Sequence, residues 1–216
     1  MKKPPGKLAA VAGAAAAAVA LTAAPAPAAP STVWTVTPSP VGIAAQNTTN
    51  VVLLIEIVKD NGIGIVCSRS SFSGSLQSAT GNPATIGTIG AIAFGATGAP
   101  CTSVLGNVTF TSATPWSVVA QDHTVSTGVT QGHFGNVDLK GTVGACVFRV
   151  RGNLPVTYAN ATGKLAVASA TGDLTVVSQT NCGGAAPVGA SLVVKADHLV
   201  KKADTTVVPT IVGTNP

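Results

Sequence analysis

Gly144–Cys182 reads GACVFRVRGNLPVTYANATGKLAVASATGDLTVVSQTNC: four short alternating runs, three turn signals and a cysteine at each end. Successive side chains of a strand point to opposite faces. Cys146, Phe148 and Val150 therefore share one face and Val147, Arg149 and Arg151 the other, which sends the cysteine to the core and the arginines to water. Val156 and Tyr158 repeat the pattern, Asn160-Ala161-Thr162-Gly163 turns the chain, and Leu165 and Val167 come back. Ala170-Thr171-Gly172-Asp173 turns it again, and Leu174 and Val176 lead to Cys182. Alternation interrupted by such turns predicts an antiparallel meander.

The same grammar extends outward. Asn50–Lys59 (NVVLLIEIVK) is the most hydrophobic stretch outside the N-terminal segment, and Asn61-Gly62 after it is a two-residue hairpin signal. With that loop, Glu56 falls opposite Cys67, and Arg69 lies diagonal to it. Ser70–Pro83 reads as a long loop or weak strand, and Thr85–Phe94 as a strand with a bulge. Asn107–Thr111, Trp116–Ala120 and Thr130–Val143 alternate, the last with a break near Gly135. Gly189–Val200 supplies a last strand. No ten-residue helical crossover is available, so pairing is expected to be antiparallel. The fold class is all-β, an antiparallel sandwich or closed barrel of about ten to twelve short strands.

Residues 1–28 read as a cleavable export leader: Lys2, Lys3 and Lys7, then an uncharged run from Leu8 to Leu21, then Ala26-Pro27-Ala28. Residues 29–200 form one β domain and residues 201–216 a tail or terminal edge strand. Without the leader, nine of the twelve basic residues remain against seven acidic ones, a net charge of +2. Only Arg149/Arg151 and Lys201/Lys202 approach a basic cluster, which argues against nucleic acid as a partner. Charged residues are 9% of the chain, far below the roughly 25% of an average domain, so Gly, Ser, Thr and Asn carry the solubility.

Four cysteines behind an export leader predict two disulfides in an oxidising compartment. Three pairings are possible. The gaps Cys67 to Cys101 and Cys146 to Cys182 are nearly equal, and each encloses one compact block of turns, which favours Cys67–Cys101 with Cys146–Cys182.

Several landmarks together resemble a family of small exported actinomycete proteins of uncharacterised function. They are the Ser-rich segment after Cys67, Ile86-Gly87-x-Ile89 before Phe94 and Cys101, Pro115-Trp116, and Thr127-Gly128-Val129-Thr130-x-Gly132. Gly144-x-Cys146, Val156-x-Tyr158-x-Asn160-x-Thr162-Gly163-Lys164-Leu165 and Gly172-Asp173-Leu174 with Cys182 complete the set. The charged Lys195–Lys202 region departs from that family's Ser/Thr-rich ending. The resemblance implies secretion and a β fold. It transfers no functional residue.

Residues able to carry chemistry are few. Asp122-His123 and Asp197-His198 are neighbours, and neighbours on a strand face opposite ways. A three-residue loop Thr127-Gly128-Val129 would set His123 opposite His133, a pair short of the three or four ligands zinc normally takes. Glu56, among Val52, Leu54 and Val58, is either a buried general acid or the partner of Arg69. Trp116 and Tyr158 lie on core faces, while Trp34 is the freer aromatic and the best surface contact. Asn47, Asn107 and Asn160 head Asn-x-Thr sequons. No catalytic, metal or cofactor set emerges. The expected function is that of a secreted, non-catalytic protein binding at the cell envelope or in the medium, or building structure there. The alternatives are a carrier of a small apolar ligand inside a barrel and a hydrolase of envelope polymers. The partners in view are thus an envelope component or an apolar ligand, and the chain without its leader does not span a membrane. A membrane pore ranks last, because the outward positions are polar.

Overall fold

The structure is a computed structural model that describes residues 32–214. The leader expected over residues 1–28 lies outside the described residues. In chain order the first strands are β1 (Val33–Thr37), β2 (Val41–Asn47), β3 (Val51–Val58), β4 (Asn61–Cys67), β5 (Ser70–Leu76), β6 (Ala79–Thr80), β7 (Ala84–Phe94) and β8 (Cys101–Ser103). They are followed by β9 (Gly106–Ser112), β10 (Trp116–Thr124), β11 (Val129–Val143), β12 (Cys146–Ala159), β13 (Lys164–Ala168), β14 (Leu174–Thr180), β15 (Ser191–Lys202) and β16 (Thr210–Thr214).

Most of these strands join end to end into eight long staves. β2 and β3 form the first, β4 and β5 the second, β7 and β8 the third, and β9 and β10 the fourth. β11, β12, the pair β13 with β14, and β15 complete the series. Each stave pairs antiparallel with the next, and β15 returns to pair with β2 through Lys202↔Ile43 and with β3 through Lys195↔Val52. The sheet therefore closes on itself as an up-and-down barrel, the arrangement that removes exposed sheet edges. Of the sandwich and the barrel, the barrel forms. Sixteen strands replace the expected ten to twelve because most staves are broken in the middle and three short strands lie outside the barrel.

The breaks of the first three staves lie side by side and make a waist. Asn47 spans the first two staves: its Nδ2 donates to the carbonyls of Thr49 and Ser68, and its Oδ1 accepts from the Ser70 amide at 2.7 Å. One side chain thus satisfies backbone groups that two kinks release from the ladder. Cys67–Cys101 ties the second stave to the third at the same level, with both cysteines fully buried. Thr114 Oγ1 donates to Gly90 O, linking the third and fourth. β11 carries the expected bulge, between Phe134 and Val137, with Asn136 at φ +58°. Cys146–Cys182 joins the sixth and seventh staves at the end of the barrel, so the pairing favoured by spacing is the one formed.

Two sequence expectations are corrected. Cys146–Ala159 is one strand rather than two runs: it pairs with β11 from Cys146 to Ala159, and the Asn153 amide, opposite the β11 bulge, donates to Asp173 O. The first hairpin turns at Lys59-Asp60, with Val58 opposite Asn61, so Glu56 pairs with Gly62 and not with Cys67. There Asp60 alone takes positive φ (61°), which removes the reason for a turn at Asn61-Gly62. Of the long loop and the weak strand expected over Ser70–Pro83, a strand forms at Ser70–Leu76, because it lies between β2 and β7 and buries Ser70, Phe72 and Leu76.

An eight-stranded barrel has an interior just wide enough for side chains to fill, and this one is filled. Phe72 meets Phe134 edge to face at 5.7 Å in one half, and Phe110 meets Phe148 at 6.3 Å in the other. The space left between Ile43, Phe72, Phe134, Tyr158 and Val200 is about 20 Å³. One end is closed by a three-stranded cap ordered β16-β1-β6. Trp34 of β1 faces Gly213 of β16, and its indole lies over that glycine, where a Cβ would come within 2.6 Å of the ring. Phe148 covers Gly141 in the same way across β11 and β12. Trp34 Nε1 donates to Gly81 O at 3.0 Å and the side chain is 0% exposed, so the freer aromatic of the sequence reading is the plug of the barrel.

Trp34→Ala is expected to lower unfolding stability by about 3–5 kcal/mol, the cost of emptying a large aromatic site. Denaturant titration checks it, and an unchanged midpoint would show that the cap contributes nothing to the barrel.

Candidate functional site

Glu56 is buried, and its outward-facing carboxyl is covered by the turn between β13 and β14. Oε1 accepts from the Asp60 amide at 3.1 Å and Oε2 from Thr171 Oγ1 at 2.7 Å. The expected pair with Arg69 does not form, because the shifted turn carries Glu56 away from that end of β4; the ion pairs among the described residues are Arg149–Asp138, Arg151–Asp138 and Lys164–Asp197. Glu56 does line a surface groove of about 420 Å³ with Ile57, Val58, Thr171 and Val188, and no second carboxylate lines it. The carboxyl holds a hairpin and a turn together.

The two histidines of the β10–β11 hairpin do not face each other. The loop begins two residues earlier than expected, at Val125, and a bulge follows between Ala120 and Asp122, so His123 pairs with Thr130 and His133 with Val119. His123 points inward and is 5% exposed. Its Nδ1 lies 2.9 Å from Thr130 Oγ1, whose own proton goes to Ile211 O at 3.0 Å, so Nδ1 carries the hydrogen. Asn160 exchanges two hydrogen bonds with Ile211, and Tyr158 Oη donates to Pro209 O. These groups latch the cap to the barrel, and burial pushes the Tyr158 phenol up. His133 is on the outer face beside Gln121 Oε1 at 3.2 Å. Among the described residues no three metal-ligating side chains come together.

His198 was visible in the sequence only as half of an Asp-His neighbour pair, and that pair does face opposite ways. Asp197 reaches out to Lys164 at 2.8 Å, while His198 turns into the barrel. Its Nε2 lies 3.2 Å from the buried Ser70 Oγ, and its ring packs at 5.3 Å on Phe72. Nδ1 has no hydrogen-bond partner. A serine and a histidine in contact resemble two parts of a nucleophile set, but both are sealed in the core, and the acidic neighbour is on the far side of the sheet. The pair is a packing element.

The aromatics are drawn in from the surface: both Trp, Tyr158, Phe72, Phe134 and Phe148 are buried, and Phe94 and Phe110 are half-buried. Of the three sequons, Asn47 and Asn160 spend their carboxamides on the waist and on the cap, and Asn107 alone is exposed.

Side chains of one chemical kind do converge on the outer wall of β9, β11, β12 and β14. The register sets Thr111, Lys140, Arg149 and Ser178 in one row across four strands, and Asp138 beside Arg151 in the next. Asp138 accepts from Arg149 Nε at 2.5 Å and Nη2 at 2.6 Å, and from Arg151 Nε at 2.9 Å. Arg149's hydrogen bonds hold the Asp138 carboxyl below the usual carboxylate range. The wall is concave here: a groove of about 490 Å³ runs from Thr111 to Thr180, and one of about 380 Å³ continues past Asp138 to Asn153. Sequence reading identified the two arginines as solvated surface and missed this cluster. The available signal was Asp138 two residues before Lys140, which becomes informative only when β11 and β12 are in register.

Comparison with protein-family models, with curated proteins and with solved structures gives no match.

Burial lowers the His198 pKa from 6.5 to about 4. The unfolded chain then takes up the proton first, so the stability due to neutral His198 is complete above about pH 6.5 and falls as pH drops towards 4. A loss of up to about 3 kcal/mol across that window is expected. Asp138, with its pKa shifted the other way, loses its contribution only below the ordinary carboxylate value of 3.8. Denaturant titrations at several pH values check the window. His198→Gln should flatten it, and an unchanged slope in that variant would assign the acid sensitivity elsewhere.

Proposed function

We propose that this chain is a secreted, non-catalytic β-barrel protein of the cell envelope or its surrounding medium, with a binding or structural role. We further propose that it belongs to the exported actinomycete family its landmarks resemble. The observation that carries the reading is the use to which the buried polar groups are put. Glu56, His123 and Thr130 bind segments of the protein to one another, and His198 packs in the core beside Ser70, where a catalytic set would converge on a pocket. Two disulfides are consistent with an extracellular protein, and among the described residues no helix is long and apolar enough to cross a membrane.

The carrier alternative has less support. An interior space of about 20 Å³ has room for about one water molecule and not for a lipid chain. A ligand would have to displace the Trp34 plug or part of the core. The hydrolase alternative would need Glu56 to act with a second acid, and none lines its groove.

Native mass spectrometry of the protein from its producer's culture medium tests the reading. The expected species begins after Ala28 and weighs four hydrogens less than the reduced chain, as two disulfides require. A retained leader or free thiols would overturn the secreted assignment. A co-purifying apolar mass would transfer the reading to the carrier.

A further inference from the structure

The described residues hold nine basic and seven acidic side chains. On the outer wall of β11 and β12, Lys140, Arg149 and Arg151 gather around the single carboxylate of Asp138, a local net charge of +2. We infer that the groove over β9, β11, β12 and β14 binds a polyanionic, hydroxyl-rich glycan-type chain, its phosphate or carboxylate groups held by Lys140, Arg149 and Arg151. This inference rests on the binding role proposed above and names the partner.

Three observations converge on that ligand chemistry. The first is preorganisation. Both Asp138 oxygens are taken by guanidinium groups, which fixes the two arginines side by side before any ligand arrives and reduces the ordering cost of binding. Arg149 keeps its Nη1 hydrogens and Arg151 both Nη nitrogens for a ligand, in a planar geometry suited to phosphate or carboxylate. Among the described residues Lys140, opposite Arg149, makes no ion pair of its own.

The second is shape and lining. The row from Thr111 to Ser178 crosses four strands, about 14 Å at the usual strand spacing. Ser112, Ser178, Gln179 and Thr180 line the same groove, a set of short donors and acceptors suited to hydroxyl groups. The third concerns the aromatic side chains. A neutral sugar or a single-stranded nucleic acid is commonly held by stacking, and no aromatic side chain of this barrel is in the exposed class. Recognition on this wall runs through charge and hydrogen bonding.

The test uses the disulfide-bonded chain purified from medium. It is titrated at low salt with four probes: a poly(glycerol phosphate), polygalacturonate, neutral dextran and a double-stranded DNA oligomer. Binding to one or both anionic polyols, weakened by added salt, is expected, and the preferred one identifies phosphate or carboxylate as the group bound. Lys140→Glu should weaken that binding by about tenfold or more. Lys59→Glu makes the same change in net charge at the exposed β3–β4 tip and should change affinity by less than about twofold. Four results would overturn the inference: no binding to either anionic polymer, equal binding of dextran, equal loss in the two variants, or tighter binding of DNA. A disulfide-bonded, leaderless species in the medium that binds none of these probes would leave the secreted, non-catalytic reading standing and remove this ligand alone.

Discussion

The pairing of β15 with β2 and β3 is the constraint on which the rest of the structure depends. It joins the last stave to the first, about 150 residues away in the chain, and turns an open meander into a closed wall. Once the wall is closed, every alternate residue points into a space of fixed width, and that space has to be filled. Glycine sits where a neighbour is large: Gly141 lies under Phe148, and Gly213 under Trp34. The small inward residues therefore make room for aromatic rings and leave little room for a ligand.

A long barrel with short strand runs has to release backbone groups somewhere, and this one releases several of them where the breaks of neighbouring staves adjoin. Asn47 and the Cys67–Cys101 bridge lie there, so polar satisfaction and covalent bracing occur where the ladder is weakest. The cap follows the same logic at the barrel end. Thr130 and Asn160 bond the Ile211 backbone of the C-terminal strand, and Tyr158 bonds the Pro209 carbonyl just before it. His123 holds the Thr130 hydroxyl, and the strand pairs with β1 and its tryptophan. Polar side chains that could look catalytic in isolation are used to fasten one segment to another. The outer wall of β11 and β12 differs, because Asp138 orders two arginines without covering them: Arg149 and Arg151 remain 43% and 54% exposed.

Strand alternation was legible wherever one face met the core. Cys146, Phe148, Val150, Val156 and Tyr158 read inward in the sequence and are buried in the barrel. The break near Gly135 and the disulfide partners were legible for related reasons, since a lapse in a period of two and two nearly equal cysteine spacings are local facts. Register was not. The hairpin after Val58 turns two residues earlier than Asn61-Gly62 suggested, and the loop after Thr124 begins earlier than expected, so Glu56 lost Arg69 and His123 lost His133. A shift of this size in a turn re-pairs every residue beyond it. Trp34 misled for another reason: a proline-bearing terminal segment reads as peripheral, and only the closed barrel provides an open end for it to plug.

The sequence by itself determined an all-β protein with alternating faces, two disulfides and a surface poor in charge, because these depend on composition and on contacts between near neighbours in the chain. Only the tertiary structure decided that the sheet closes, that the interior is full, and that Lys140, Arg149 and Arg151 gather beside Asp138. Each of those depends on which strands lie side by side, and the closing pair of staves settles it from opposite ends of the chain.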